Sequence, residues 1–328
     1  MKKRIITLFI YLLPLPIVLA SLFIGPSETA NPDAIFNLIF NNTGNSSLVQ
    51  SVIFDVRLPR ILLTFLVGGS LAISGCSIQA IFRNPLTDSY ILGLSSGAAF
   101  GAALALAYSI LPVQVSAFIF GLIAVGLSYF MARKNKNVSI VSLILSGIIV
   151  SGIFTALLTL VQFYSDPFKL QSIVHWTMGN LHNANWEKLQ SSVIPITVGV
   201  LVLFVYRWRL NVLALGDDEA RTVGINPEKD KLIILIASTL AASSAVAVAG
   251  IIGLYGLIVP HMVRMIIGPD NRQSIPLNFL FGGMFLLIID DFSRTLSGFE
   301  IPIGVFTMLL GAPFFIFLMK KTNIGWNS

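Results

Sequence analysis

The side chains able to do chemistry are few. Three histidines (His175, His182, His261) and a single cysteine, Cys76, are scattered over 328 residues. His175 and His182 stand seven apart in a polar stretch. That spacing is open to metal or haem ligation, with two wetted loop histidines as the plain alternative. Cys76 lies in a run of small residues, Ser74-Gly75-Cys76-Ser77, inside an apolar segment. A packed thiol is expected there, and one cysteine excludes an internal disulfide. No GxxxxGK[ST], HExxH, CxxC or GxSxG occurs, so no phosphate-cradling loop, zinc-protease helix or serine elbow is encoded. No catalytic residue and no metal site is assigned, and an enzyme is not expected.

Charge offers more. Asp217-Asp218-Glu219 is the one run of three adjacent acids, within Leu210–Asn226, LNVLALGDDEARTVGIN. The acids suit the first turn of a helix, where the dipole favours negative charge. Asp217 and Arg221 are spaced for an i,i+4 pair, Gly224 suits a left-handed helix end, and Pro227 blocks continuation. Gly216 separates this turn from a preceding turn, Val212–Leu215. The spacing thus predicts two short helices at a bend. Elsewhere, Arg57 and Arg60 stand three apart on one helical face, and Arg294 follows Asp290 and Asp291 by four and three residues. Arginine at mid-membrane costs roughly 2.5–3.5 kcal/mol, so all three belong at an interface. They read as snorkelling anchors, with Asp290 or Asp291 pairing Arg294, or as a charged surface for a partner.

The elements that must carry these residues are membrane spans. The chain is 55% hydrophobic and only 11% charged, with a mean hydropathy of +0.85, against roughly 25% charge in soluble domains. This is an all-α polytopic membrane protein. Ten apolar runs are found: Ile5–Ile24, Leu58–Phe82, Tyr90–Ile110, Val113–Met131, Ile140–Tyr164, Ser191–Trp208, Leu232–Gly253, Leu257–Ile267, Pro276–Phe292 and Ile303–Met319. The first follows Lys2-Lys3-Arg4 and is long enough to span, so a retained helix is expected rather than a cleaved signal. With the N-terminus inside, inner segments collect 16 of the 21 basic residues. Basic residues favour the cytoplasmic side, which places both termini in the cytoplasm. The net charge of +6 is therefore a topology signal, and no nucleic acid is expected as a partner. Gly93, Gly97 and Gly101 recur four apart, as close helix packing in lipid requires.

Several ordered motifs go further. They are RLPR at Arg57–Arg60, LAISGCSIQAIFRNPLTDSYILGLSSGA at Leu71–Ala98, WTMGNL at Trp176–Leu181, LALGDDEARTVGI at Leu213–Ile225, GLIVPHMVR at Gly256–Arg264 and EIPIGVFTMLLGAPFF at Glu300–Phe315. Together these resemble the FecCD-type permease subunits of ABC importers, over most of the chain from Arg57 onward. The resemblance implies a type II importer permease, residues 1–328 forming one transmembrane unit with coupling helices at about 210–226. It implies a second copy of the permease, two ATP-binding subunits that use ATP and Mg, a solute-binding protein outside, and no cofactor on this chain. It places the ATPase contact on Leu213, Leu215, Gly216, Asp217, Glu219, Ala220, Arg221 and Gly224. It gives Arg57, Arg60 and Arg294 to docking of the binding protein, where exposed arginines facing carboxylates would steer approach. It gives Asn84, Leu86, Ser139, Ile140 and Val141 to a cytoplasmic gate. The related vitamin B12 permease has more hydroxyls in the second of these turns, so the gate here is expected to be greasier.

The fifth apolar run carries Ser142, Ser146, Ser151, Thr155, Thr159 and Gln162 but no acid or base. A neutral lining suits a bulky chelate better than a bare ion that needs a charged relay. An iron–siderophore complex is the first expectation for the cargo, with vitamin B12, haem or a molybdate-type oxyanion as alternatives. An ion-coupled secondary carrier would need ionisable residues deep in the bundle, and a membrane scaffold would need no ATPase. The expected location is the bacterial inner membrane.

Overall fold

In hydrocarbon a backbone must satisfy its own hydrogen bonds, so apolar runs of this length become helices. The computed structural model describes residues 9–27, 30–38, 47–134, 137–296 and 299–321. The expected charged start, Lys2-Lys3-Arg4, lies outside them. In chain order the helices are α1 (Phe9–Phe23), α2 (Pro32–Phe36), α3 (Ser47–Phe82), α4 (Leu94–Tyr108), α5 (Val113–Ala132) and α6 (Ile140–Tyr164). They continue with α7 (Pro167–Thr177), α8 (Trp186–Leu215), α9 (Asp217–Thr222), α10 (Pro227–Ala249), α11 (Tyr255–Ile267), α12 (Asn271–Ser293) and α13 (Ile303–Lys321). The only strands among the described residues, β1 (Arg133–Lys134) and β2 (Asn137–Val138), form a small antiparallel hairpin between α5 and α6.

Six helices are long and apolar enough to cross a membrane, and four shorter apolar helices accompany them. Each lies on one of the ten expected runs. Several boundaries differ from expectation, among them those of α3, α4 and α8. α3 begins at Ser47 rather than Leu58, because residues Val52–Arg57 adopt a π-helical turn ahead of Pro59. The wider turn accommodates a proline that cannot donate. α4 begins at Leu94, and Gly93 precedes it with φ +83°. α8 runs for 30 residues, so it absorbs Val212–Leu215. At 1.5 Å per residue it is about 45 Å long, well beyond the hydrocarbon.

α3 and α10 form the middle of the bundle and are buried nearly all round, whereas α6 and α8 leave much apolar surface open. Small residues set the closest approaches. A Cβ on Gly75 of α3 would meet the Gly256 carbonyl of α11 at 1.9 Å, and one on Gly97 of α4 would meet the Phe120 carbonyl of α5 at 2.5 Å. Two hydroxyls of α6 bond to backbone. Ser146 donates to the carbonyl of Ser128 at 2.7 Å, and Thr159 donates back to Thr155 at 3.0 Å.

Candidate functional site

At one end of the bundle, α8 hands the chain to α9 through Gly216, whose backbone is nearly fully extended. The Gly216 carbonyl accepts from Ala220 N, and Ala220 accepts in turn from Ile225 N. Gly224 closes the helix at φ +81°, a conformation that strains any residue with a side chain. Asn226 caps α10 by accepting from Lys229 N at 3.0 Å. The result is one long helix and one short one, not the two short helices expected.

This knuckle is tied to α10 by charge. Lys231 of α10 donates to both oxygens of Asp217 at 2.6 and 2.7 Å. Arg221 pairs Glu228, and Arg209 at the end of α8 pairs the buried Asp230 at 2.8 Å. Asp217 also faces Arg83 at 3.6 Å. The expected Asp217–Arg221 pair is therefore replaced. Asp217 turns toward Lys231, whose side chain is only 18% exposed, so its charge is less well solvated and gains more from pairing. Leu213 and Ala220 are fully buried and hold the knuckle to the bundle, while Leu215 is 72% exposed and Val223 58%. The apolar contact expected of two leucines is thus open to Leu215 alone. Asp218 and Glu219 are exposed beside it.

The residues expected to form a gate lie close by. Arg83 takes a left-handed backbone (φ 51°) at the end of α3, and Asn84 then accepts from Leu86 N at 2.9 Å to form a tight turn. Leu86 is 42% exposed. In the second turn Ser139 caps α6 by accepting from Ser142 N at 3.0 Å, and Val141 faces outward. Ser139 and Ile140 line a cavity of about 270 Å³ whose opposite wall includes Asp217, Arg221 and Lys231. The structure thus joins the second turn to the knuckle through a shared cavity, and the first through the Arg83–Asp217 contact. Sequence reasoning missed Arg83, Arg209, Glu228, Asp230 and Lys231. Their partners lie across turns or on other helices, so no local spacing marks them.

At the far end of α3 and α12 the three arginines are not exposed, and this corrects the expectation of a free charged surface. Arg57, Arg60 and Arg294 are each at least 94% buried. Arg60 grips Asp290 through Nη2 at 2.7 Å and Nε at 3.0 Å, and donates to Glu300 at 2.9 Å. Arg294 pairs Asp291 and donates to Ser21 Oγ at 2.9 Å. Arg57 spends its donors on the carbonyls of Leu22 and Ala30, at 2.8 and 3.0 Å. A buried charge must find partners, and these arginines find them within the chain: Arg294 takes Asp291, one of the two acids expected, while Asp290 goes to Arg60. Burial alone would raise the Glu300 carboxyl, but the Arg60 hydrogen bond and charge outweigh it and hold Glu300 below its ordinary value. Cys76 is buried near Asn271 and Ser274, as packing predicts. Among the described residues, no group of three or more His, Cys, Asp or Glu side chains is placed to hold a metal.

The model of the FecCD transport family matches residues 12–321. This chain belongs to the FecCD transport family. The molybdate import system permease MolB of Haemophilus influenzae is 40% identical over 84% of this chain and 83% of its own length. An iron chelatin transport system permease of Helicobacter pylori is 37% identical over 88% of this chain and 87% of its own. A metal-chelate type ABC transporter solved in an inward-facing conformation superposes with a TM-score of 0.87 at 36% identity, covering 97% of this chain and 99% of that one. A FecCD chain is a transport permease, a multi-pass protein of the bacterial inner membrane, and works with ATPase and solute-binding subunits.

Proposed function

We propose that this FecCD permease carries an iron chelate inward, as one of two copies served by two cytoplasmic ATP-binding subunits and an outer solute-binding protein. In this reading residues 1–328 act as one transmembrane unit of ten spans with both termini in the cytoplasm. ATP and Mg stay on the partner ATPase, and this chain binds no cofactor. The observation that carries the reading is the knuckle. A six-residue helix with a fixed glycine at each side, pinned by ion pairs to the central α10, presents Leu215, Val223, Asp218 and Glu219 outward. Such a projection transmits a push as a rigid body, where a loose loop would absorb it. The Asp217–Arg83 contact beside the first gate turn, and the cavity that Asp217 and Arg221 share with Ser139 and Ile140 of the second, give that push a short route to the inner end of the pathway. Exposed apolar residues along α6, including Ile148 and Phe163, offer a face for the second copy.

The docked binding protein meets an outer surface shaped by Arg57, Arg60 and Arg294 from within. Their part in docking is to hold the Glu300 loop and the start of α3 in place. The iron-chelate reading draws on the neutral hydroxyls of α6 and on the relatives above. MolB, at 40% identity, favours a molybdate-type oxyanion as the second reading. The test is to purify the cognate binding protein from cells and identify its ligand by native mass spectrometry. An iron chelate supports the first reading, and a bare tetrahedral oxyanion replaces it with the second.

A further inference from the structure

At the end of α10 remote from the knuckle, a second cavity of about 210 Å³ opens beside Ala247–Gly250. Its polar lining includes Gln114 at the start of α5, Ser172 and His175 on α7, Asn180, His182 and Asn183 in the following loop, and Lys188 on α8. Among the described residues no aspartate or glutamate lines it. The two imidazoles meet edge to face with centroids 4.7 Å apart. Asn180 fixes one of them, donating to the His175 carbonyl at 3.1 Å and lying 3.3 Å from His175 Nδ1. Amide, imidazole and ammonium groups therefore line a space whose described wall holds no acid. Donor-rich, acid-free cavities are stabilised by anions, which relieve the repulsion among their cationic groups.

We propose that this cavity is a binding site for a small oxyanion, either a free inorganic ion or the carboxylate arm of a larger solute. The inference rests on the cavity alone and holds for any cargo. The groups facing His182 explain how affinity should depend on pH. Burial, and then the His175 ring, push His182 below its ordinary value; Glu300 opposes this, while Arg60 and Lys188 add to it. Glu187, beside Lys188, is the other acid nearby. Without an anion, His182 is therefore harder to protonate than an ordinary imidazole. A bound anion restores the proton, and binding tightens as pH falls, with a slope set by the protons taken up.

The test uses the full-length protein in detergent with ¹³C-labelled histidine, titrated with sulfate, phosphate or citrate against chloride at equal ionic strength. The expected result is a saturable shift of the His175 and His182 resonances with His261 unmoved. Apparent affinity should weaken by about tenfold between pH 5.5 and 7.5, within the roughly hundredfold limit that uptake of one proton across two pH units sets. Lys188→Gln should weaken binding by a similar factor, and Lys188→Arg should restore it while both spectra keep the native His175–His182 pattern. Saturation by sulfate or phosphate identifies a free ion; saturation by citrate alone identifies a carboxylate arm. No saturable shift with any of the three, an equal shift at His261, or unchanged binding in Lys188→Gln overturns the assignment.

Discussion

The two ends of this bundle use the same charged residue types in opposite ways. Around Arg60 and Arg294 the guanidinium groups are buried and satisfied within the chain, by Asp290, Asp291, Glu300 and Ser21. Around α9 Asp230 is buried and Lys231 mostly so, but Arg221 and Glu228 are open to water, and Asp218 and Glu219 lie exposed beside them. Buried pairs are costly to break, because removing one partner strands a charge; exposed pairs contribute little to stability. The arginine cluster therefore serves the fold. The knuckle's ion pairs set the orientation of a contact surface. Position at one end of the bundle or the other, not residue type, divides the two tasks.

That division can be broken from either end. The largest effect expected is at Gly216. Gly216→Pro forces its φ from +157° to about −65° and swings α9 away. ATP hydrolysis coupled to transport in the assembled complex should fall to background, with insertion unchanged. Glu219→Lys should reduce coupling in the same assay without altering the unfolding temperature. At the outer end, Asp290→Asn leaves the Arg60 guanidinium buried without its main counter-charge, for a loss of about 3–5 kcal/mol, seen as a lower Tm in detergent.

Leucines two residues apart sharpen the contrast. Leu213→Ala should destabilise the fold by about 2–5 kcal/mol. Leu215→Ala should change stability by less than about 0.5 kcal/mol yet weaken retention of the ATPase subunit on purification. The smallest effect concerns Glu300. Its folded value lies below the ordinary carboxylate value, so the stability of its pair with Arg60 is present above the unfolded value and lost as pH falls through the folded one. Thermal unfolding between pH 6 and 3.5 should show this loss, under about 1 kcal/mol, and Glu300→Gln should abolish it.

What the sequence makes legible follows from range. The apolar runs, the glycine and proline that bound α9, and the packed Cys76 are written in neighbouring residues and appear where expected. Asp217 shows where this stops. Its i,i+4 partner Arg221 is the best choice along one helix, yet Lys231, fourteen positions on, is brought closer by the turn at Gly224–Pro227. The same holds for Arg60. Its position at the start of a span argues for an interface, but burial there depends on α12 supplying Asp290 from 230 residues away. Pro59 misleads in another way, since a proline usually opens a helix and here a π-turn carries the helix past it.

The central claim is that α9 and the turn beside it touch the ATPase. A photo-crosslinking side chain at position 215, with a second at position 163 on the exposed face of α6 as control, tests it most directly in the purified complex. The account predicts an adduct of permease plus ATPase mass from position 215, none from position 163, and loss of hydrolysis in the cross-linked fraction. An ATPase adduct absent at position 215 while the intact complex hydrolyses ATP would contradict it.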